Sequence, residues 1–315
     1  VTRVGAIDCG TNSIRLLVAD IDEDGRLTDV LRRTEIVRLG YGVDRTGVID
    51  PGAMQRTLTQ ASAYAVQCRE LGASRVRFVA TSASRDARNA GEFVSGVEAA
   101  FAAAGFEVSP EVVSGDVEAQ LSFSGANGDL VAAGIPGPYL VVDLGGGSTE
   151  LVRGTTHVES SRSVDVGCVR MTERHLEGDP PSDAEIAAAT ADVAAALDSA
   201  EEVVDLSGIA TVVGLAGSIT TNTALALGLS SYEPERIHLA RLTPQQHRDA
   251  AQELLRATRG ERAAYGFMHP GRVDVIGAGA LVWHEVLGRV IERSPDAQVV
   301  TSEHDILDGI ALSIA

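Results

Sequence analysis

Two stretches of the chain share one pattern that few folds can accommodate. "VGAIDCGTNSIRLLVADI", from Val4, and "LVVDLGGGSTELV", from Leu140, each carry an apolar run into an aspartate, then a glycine-containing turn with hydroxyl residues, then a second apolar run. Aligning Asp8 with Asp143 places Gly10 on Gly145, Ser13 on Ser148, Leu16 on Leu151 and Arg15 on Glu150. Each stretch reads as two buried strands joined by a tight turn. A second copy predicts two domains that open with the same hairpin and face one another across a cleft. Glycines in such a turn let a ligand approach the backbone without meeting a Cβ, and successive N–H groups there converge into an anion site. An aspartate at the end of a buried strand is costly without a partner, so a cation or a firm hydrogen-bond network is expected at each.

At 315 residues the chain exceeds the ~250–300 at which a single core stops growing, which agrees with two domains. Strand and helix patterns alternate, the signature of an α/β protein. The Gly- and Pro-rich "GANGDLVAAGIPGPY" marks a boundary near residue 125, giving domains 1–124 and 125–315, with the last helix able to pack back on the first. Asp50-Pro51 opens a helix that ends near Gly72, and Ser182 with Glu185 and Thr243 with Gln246 are capping boxes. "ATVVGLAGS" and "VDVIGAGAL" both read as a strand, a glycine turn and a helix, and "HDILDGIALSIA" as a short amphipathic helix.

A net charge of −18 argues against a nucleic-acid partner, which normally meets a basic field. Phosphate binding would need a local set of arginines and backbone N–H groups working against that average. No apolar run reaches the ~18 residues of a membrane helix and no leader opens the chain, so a cytoplasmic protein without a membrane partner is expected. Cys9, Cys68 and Cys168 form no CxxC pair and predict no disulfides. None of the seven histidines has ligand spacing, so no zinc is assigned; "EHD" at Glu303 reads as a polar turn before the last helix.

"DCGTNSIRLLVADI", "ATSASRDARNA", "SGDVEAQLSFSG", "VVDLGGGSTELV" and "VDVGCVRMTE", in this order, resemble the exopolyphosphatase / guanosine pentaphosphate phosphohydrolase (Ppx/GppA) family. The resemblance runs from about Val4 to about Leu312, in a short form that stops before the C-terminal phosphohydrolase-like domain of longer members. It implies the fold of the acetate kinase–sugar kinase–Hsp70–actin superfamily: two ribonuclease H-like domains with the active site in the cleft. It also implies Mg²⁺, with Mn²⁺ as a substitute, and removal of terminal phosphate from inorganic polyphosphate or pppGpp. A homodimer accords with the family.

By motif match, Glu118 resembles the glutamate that positions or deprotonates the attacking water, and Asp143 and Glu150 the metal-binding carboxylates. Thr11, Asn12, Ser13 and Arg15, then Ser82 and Arg85, then Gly145, Gly146, Gly147 and Ser148 resemble the phosphate-binding positions. Gly217 and Ser218 stand where nucleotide-binding relatives hold adenosine; they either hold the departing chain or cap a helix. Where members often carry two adjacent glutamates, this chain has Val117 before Glu118. Arg88 reads as part of a solvated face paired with Asp86, and Arg170 as a weaker phosphate ligand. A free glutamate with a pKa of ~4.3 is a weak base at neutral pH, so crowding by other carboxylates is expected around Glu118.

Exopolyphosphatase is the first expectation and pppGpp 5′-phosphohydrolase the alternative at the same site. A superfamily kinase would need pockets for adenosine and a phosphoacceptor. A non-enzymatic nucleotide switch would leave the Glu118 motif unexplained. The acidic composition offers no basic track for a long polyanion, which predicts a preference for short chains.

Overall fold

Valine, isoleucine and leucine dominate the two repeated stretches, and both fold as antiparallel hairpins. The structure is a computed structural model that describes residues 1–314. Its strands are β1 (Thr2–Cys9), β2 (Ser13–Ile21), β3 (Leu27–Ile36), β4 (Arg75–Ala80), β5 (Glu111–Val112), β6 (Tyr139–Leu144), β7 (Thr149–Gly154), β8 (Val158–Val164), β9 (Thr211–Leu215), β10 (Ala240–Leu242) and β11 (Gln298–Thr301). The chain divides into two units, Val1–Gly125 with the segment from Ile306 onward, and Ala126–Asp305.

In unit 1 the sheet order is β3-β2-β1-β4-β5. The first three strands form an antiparallel meander, and β4 and then β5 add parallel to β1. Unit 2 repeats the plan: β8-β7-β6 is the meander, β9 and β11 add in parallel, and β10 closes the edge antiparallel to β11. This is the ribonuclease H-like order, built twice, as the repeated hairpin implies. The parallel strands are fed by helices, because a parallel connection needs a crossover of a dozen residues or more.

Unit 1 covers one face of its sheet with the helices Pro51–Glu70 and Ala90–Ala103, whose Ala61, Tyr64, Phe93 and Phe101 join Ile7, Leu16 and Phe78 in one core. Asp50 caps the first helix by accepting from the N–H groups of Gly52 and Ala53. The other face carries Val4, Ala6, Leu17 and Val79 under the last helix, Ile306–Leu312. That helix is less amphipathic than its sequence suggests: Ile306 through Ala311 are all buried. Its Asp308 is held by Arg32 at 2.5 Å.

Two further segments differ from expectation. The chain divides at 125/126, as expected, yet inside a helix: Gly115–Ala132 runs through the first half of the glycine-rich stretch. A glycine inside a helix costs only about 1 kcal/mol relative to alanine. Here Ala119, Phe123, Ala126 and Leu130 line up a buried face that outweighs it. Likewise "VDVIGAGAL" contains no strand; Gly277 and Gly279 lie within the helix Ile276–Arg293. They are packing glycines, for a Cβ on Gly279 would fall 2.3 Å from Ser218 Oγ. Both predicted capping boxes form, at Ser182 and Thr243. Among the described residues, no helix is long and apolar enough to cross a membrane.

Unit 2 buries one histidine completely. His247 Nδ1 accepts from Trp283 Nε1 at 3.3 Å, so the proton of the neutral ring sits on Nε2, which has no hydrogen-bond partner. Burial pushes its pKa down to about 4. The unfolded chain, with an ordinary histidine near 6.5, therefore binds the proton first as pH falls, and stability is lost from about pH 6.5 toward pH 4. Between pH 7.5 and pH 5 this group should cost about 2 kcal/mol. Urea unfolding at the two pH values checks this: His247→Gln should lose less stability than the wild type by that amount.

Candidate active site

Each unit carries a half of the candidate machinery at the mouth of its hairpin. In unit 1, Asp8 and Arg15 are direct cross-strand partners. The guanidinium grips the buried carboxylate through Nη2 at 2.7 Å and Nε at 2.9 Å. The turn between them closes with Gly10 N–H donating to Ser13 O at 2.9 Å. Thr11 Oγ1 lies 2.8 Å from Ser82 Oγ, so two predicted phosphate-binding hydroxyls, far apart in sequence, meet. The Asn12 carbonyl accepts from the N–H groups of Val37 and Arg38, which straps the turn to the loop after β3.

That loop contains a residue the sequence did not single out. Arg38 is a non-glycine residue at φ 55°. This left-handed conformation costs ~1–2 kcal/mol and persists where surrounding contacts enforce it. Arg38 lies just beyond the end of β3 at Ile36. Nearby, a Cβ on Gly40 would fall 2.4 Å from Thr11 Cγ2, so only glycine lets the loop pack on the turn.

Glu118 sits in the first turn of the helix Gly115–Ala132, 8% exposed, its N–H donating to Ser114 O at 3.0 Å. Arg85, in the short helix Ser82–Asp86, donates from Nη1 to Glu118 Oε2 at 3.2 Å and to Val113 O at 2.8 Å. Within its own unit Glu118 is thus paired with a cation. Arg85 fixes the glutamate and the loop before it. Arg88 departs from its expected pairing with Asp86; it donates to Thr46 O at 3.1 Å.

In unit 2 the equivalent pair is acid facing acid. Asp143 lies directly opposite Glu150, at 5% and 1% exposure. Ser163, the neighbour of Glu150 on β8, donates to Glu150 Oε1 at 2.6 Å. Gly145 N–H donates to Ser148 O at 3.0 Å, matching the bond in unit 1. The helix Cys168–His175 takes the loop's carbonyls: Cys168 N–H donates to Gly145 O, and Val169 and Arg170 N–H to Gly146 O. Arg170 Nε donates to Gly147 O at 2.8 Å, so Arg170 is a brace for the loop. With the carbonyls turned to that helix, the loop's N–H groups and the Ser148 hydroxyl are donors of the kind that can meet an anion.

Gly217 and Ser218 occupy the first turn of the helix Ala216–Ala226, whose N-cap, Leu215, makes no side-chain cap bond. Ser218 is therefore not a cap. Ala216 takes φ 68°, a second strained turn. Arg272 lies against this helix start, its Nη1 donating to Thr221 Oγ1 at 3.3 Å. A Cβ on Gly217 would meet its guanidinium at 2.4 Å. Arg272 was not foreseen, because nothing in the sequence around it signals a site.

One close contact at the loop is backbone on backbone: a Cβ on Gly167 would fall 2.4 Å from Gly146 C and O. Neither side can yield without moving the loop. Gly167→Ala should lower stability by about 3 kcal/mol and abolish catalysis, as thermal melting and a turnover assay would register.

Known proteins resemble this chain along much or all of its length. The model of the Ppx/GppA phosphatase family matches residues 17–314. Exopolyphosphatase 2 of Mycobacterium tuberculosis is 49% identical over 317 residues, covering 100% of this chain and 99% of that protein. The guanosine-5′-triphosphate,3′-diphosphate pyrophosphatase of Aeromonas salmonicida is 33% identical over 239 residues, 75% of this chain and 46% of that longer protein. A crystal structure of an exopolyphosphatase-like protein aligns with a TM-score of 0.94 and 43% identity, covering 100% of this chain and 98% of that one. With a family match across nearly all of its length and a full-length relative at this identity, the chain belongs to the Ppx/GppA phosphatase family.

Proposed function

We propose that the protein is an exopolyphosphatase that hydrolyses the terminal phosphoanhydride of inorganic polyphosphate. The observation that carries the reading is Glu118, a buried carboxylate fixed by Arg85 in the unit that also holds the Thr11–Ser82 pair. Such a group suits a water molecule as attacking partner. The full-length similarity to an exopolyphosphatase favours polyphosphate over pppGpp, whose relatives match over about half of their own length.

Hydrolysis of a phosphoanhydride asks for positioning, charge neutralisation and an oriented water, with little covalent chemistry from the protein. Glu118 accepts a hydrogen bond from the water and takes its proton as the oxygen attacks the terminal phosphorus. The bridging P–O bond breaks and the shortened chain departs as an anion. The N–H groups of Gly146 and Gly147, with Ser148, Thr11, Asn12, Ser13, Ser82 and Arg15, hold phosphate oxygens. Gly217 and Ser218, at a helix start, suit the departing chain.

Asp143 and Glu150, backed by Ser163, form an all-oxygen donor set that fits Mg²⁺, with Mn²⁺ as substitute. The ion would neutralise charge on the terminal phosphate. On this reading the protein works in the cytoplasm as a homodimer, with no nucleic-acid or membrane partner.

Phosphate release with Mg²⁺ from polyphosphate, pppGpp and ATP tests the reading. Polyphosphate should be the best substrate, and Glu118→Gln should lower kcat by about 10²–10⁴-fold with little change in KM. Release from pppGpp alone would transfer the assignment to the guanosine substrate. A second expectation concerns length: kcat/KM should be higher for chains of a few phosphates than for chains of hundreds, because a chain of net charge −18 repels a long polyanion. A clear rise with chain length would refute it.

A further inference from the structure

Three side chains that the reaction does not use meet in unit 2. Asp129 lies in the last turn of the helix Gly115–Ala132, His238 follows the short helix Pro234–Ile237, and His304 stands in the loop after β11. His304 Nδ1 is 2.5 Å from Asp129 Oδ2, and His238 Nε2 is 3.6 Å from the same oxygen. The two imidazole centroids are 4.7 Å apart. One ligand atom from each residue falls within 4.8 Å of the others, and all three residues are partly exposed.

We propose that Asp129, His238 and His304 form a binding site for a borderline first-row divalent ion, with Zn²⁺ the best match and water completing the coordination. Two imidazole nitrogens and one carboxylate oxygen make a common three-ligand zinc set. Zinc's bonds of ~2.0–2.2 Å imply edges of roughly 3.3 Å between donors in a tetrahedron, so the ligands need only short side-chain movements. The donor set separates this site from Asp143 and Glu150, whose oxygens suit a hard ion.

Electrostatics favour a cation here. Asp129 puts a negative charge in the last turn of a helix, where the backbone dipole already presents its negative end. Unit 2 is also the more acidic unit, with far more Asp and Glu than Arg.

The surrounding backbone is set for ligation. Ser302 Oγ donates to His304 O at 2.8 Å and accepts from His304 N–H at 3.0 Å, which fixes the loop. Leu239, directly after His238, is held at φ 58° with its N–H on Thr301 O at 2.7 Å. An ion on His238 Nε2 places the ring proton on Nδ1, so the long 3.3 Å contact from Glu303 N–H is given up on binding. Asp129 and His304 also stand beside the two points where the chain passes between units, at 125/126 and 305/306. A bound ion therefore ties both connecting segments together inside unit 2.

The full chain, stripped with chelator and kept in excess Mg²⁺, is titrated with Zn²⁺ and, separately, with Co²⁺. One Zn²⁺ per chain should survive dialysis, and Co²⁺ should show the intense visible bands of low-coordinate nitrogen ligation. Both should persist in Glu150→Gln. Both should be lost in His238→Ala and His304→Ala, whose metal-free circular dichroism and melting should match the wild type. Asp129→Asn, nearly isosteric, should weaken Zn²⁺ at least about tenfold even if a histidine variant misfolds. Absence of stoichiometric Zn²⁺ in the wild type, or undiminished binding by Asp129→Asn and the folded histidine variants, overturns the proposal.

Discussion

The burial of a carboxylate at the end of a central strand is the constraint around which both units are built. Each hairpin brings an aspartate to its mouth, and the residue directly across decides its fate. In unit 1 that residue is Arg15, and the pair neutralises itself within hydrogen-bond distance. In unit 2 it is Glu150, and acid stands against acid. Desolvating two neighbouring carboxylates is unfavourable without a cation or strong donors, so the same backbone motif becomes an ion pair on one side and, in the function proposed above, a metal cradle on the other. One substitution across a strand pair separates the two roles.

Everything packed against the hairpins serves to hold their turns still. The Gly145–Ser148 loop hangs from the start of the helix Cys168–His175 by its carbonyls, braced by Arg170. The Gly10–Ser13 turn is strapped by the loop after β3 and by Ser82. Donors fixed in advance need little reorganisation when a phosphate arrives, which is where electrostatic catalysis gains most. Strain collects at the same places: Arg38 and Ala216 are both left-handed, and both border turns assigned to phosphate.

The fold and the paired hairpins were legible in the sequence because they depend on local pattern. Apolar runs ending in Asp8 and Asp143, the caps at Asp50, Ser182 and Thr243, and the turn glycines all encode their structure within a few residues. Glycine misled at Gly277 and Gly279, which lie inside a helix, because a close neighbour outweighs its weak preference for turns. Arg38 and Arg272 were missed since an isolated arginine carries no signal until the chain folds around it. The Asp129, His238 and His304 cluster was invisible for a related reason. Its members come from three remote segments, and ligand spacing along the chain says nothing about ligands gathered by topology.

The last helix has a consequence for how the chain is made. Ile306–Leu312 covers one face of a sheet whose other strands lie within the first 112 residues. All of unit 2 is synthesised between the two. On the ribosome, the first domain to emerge is thus the last that can close, and its apolar face stays uncovered until the second domain has been translated. Unit 2, continuous in sequence, is free to fold in the interval. Biogenesis therefore runs opposite to chain order, and the nascent first domain is the stage at which a chaperone would have a surface to hold.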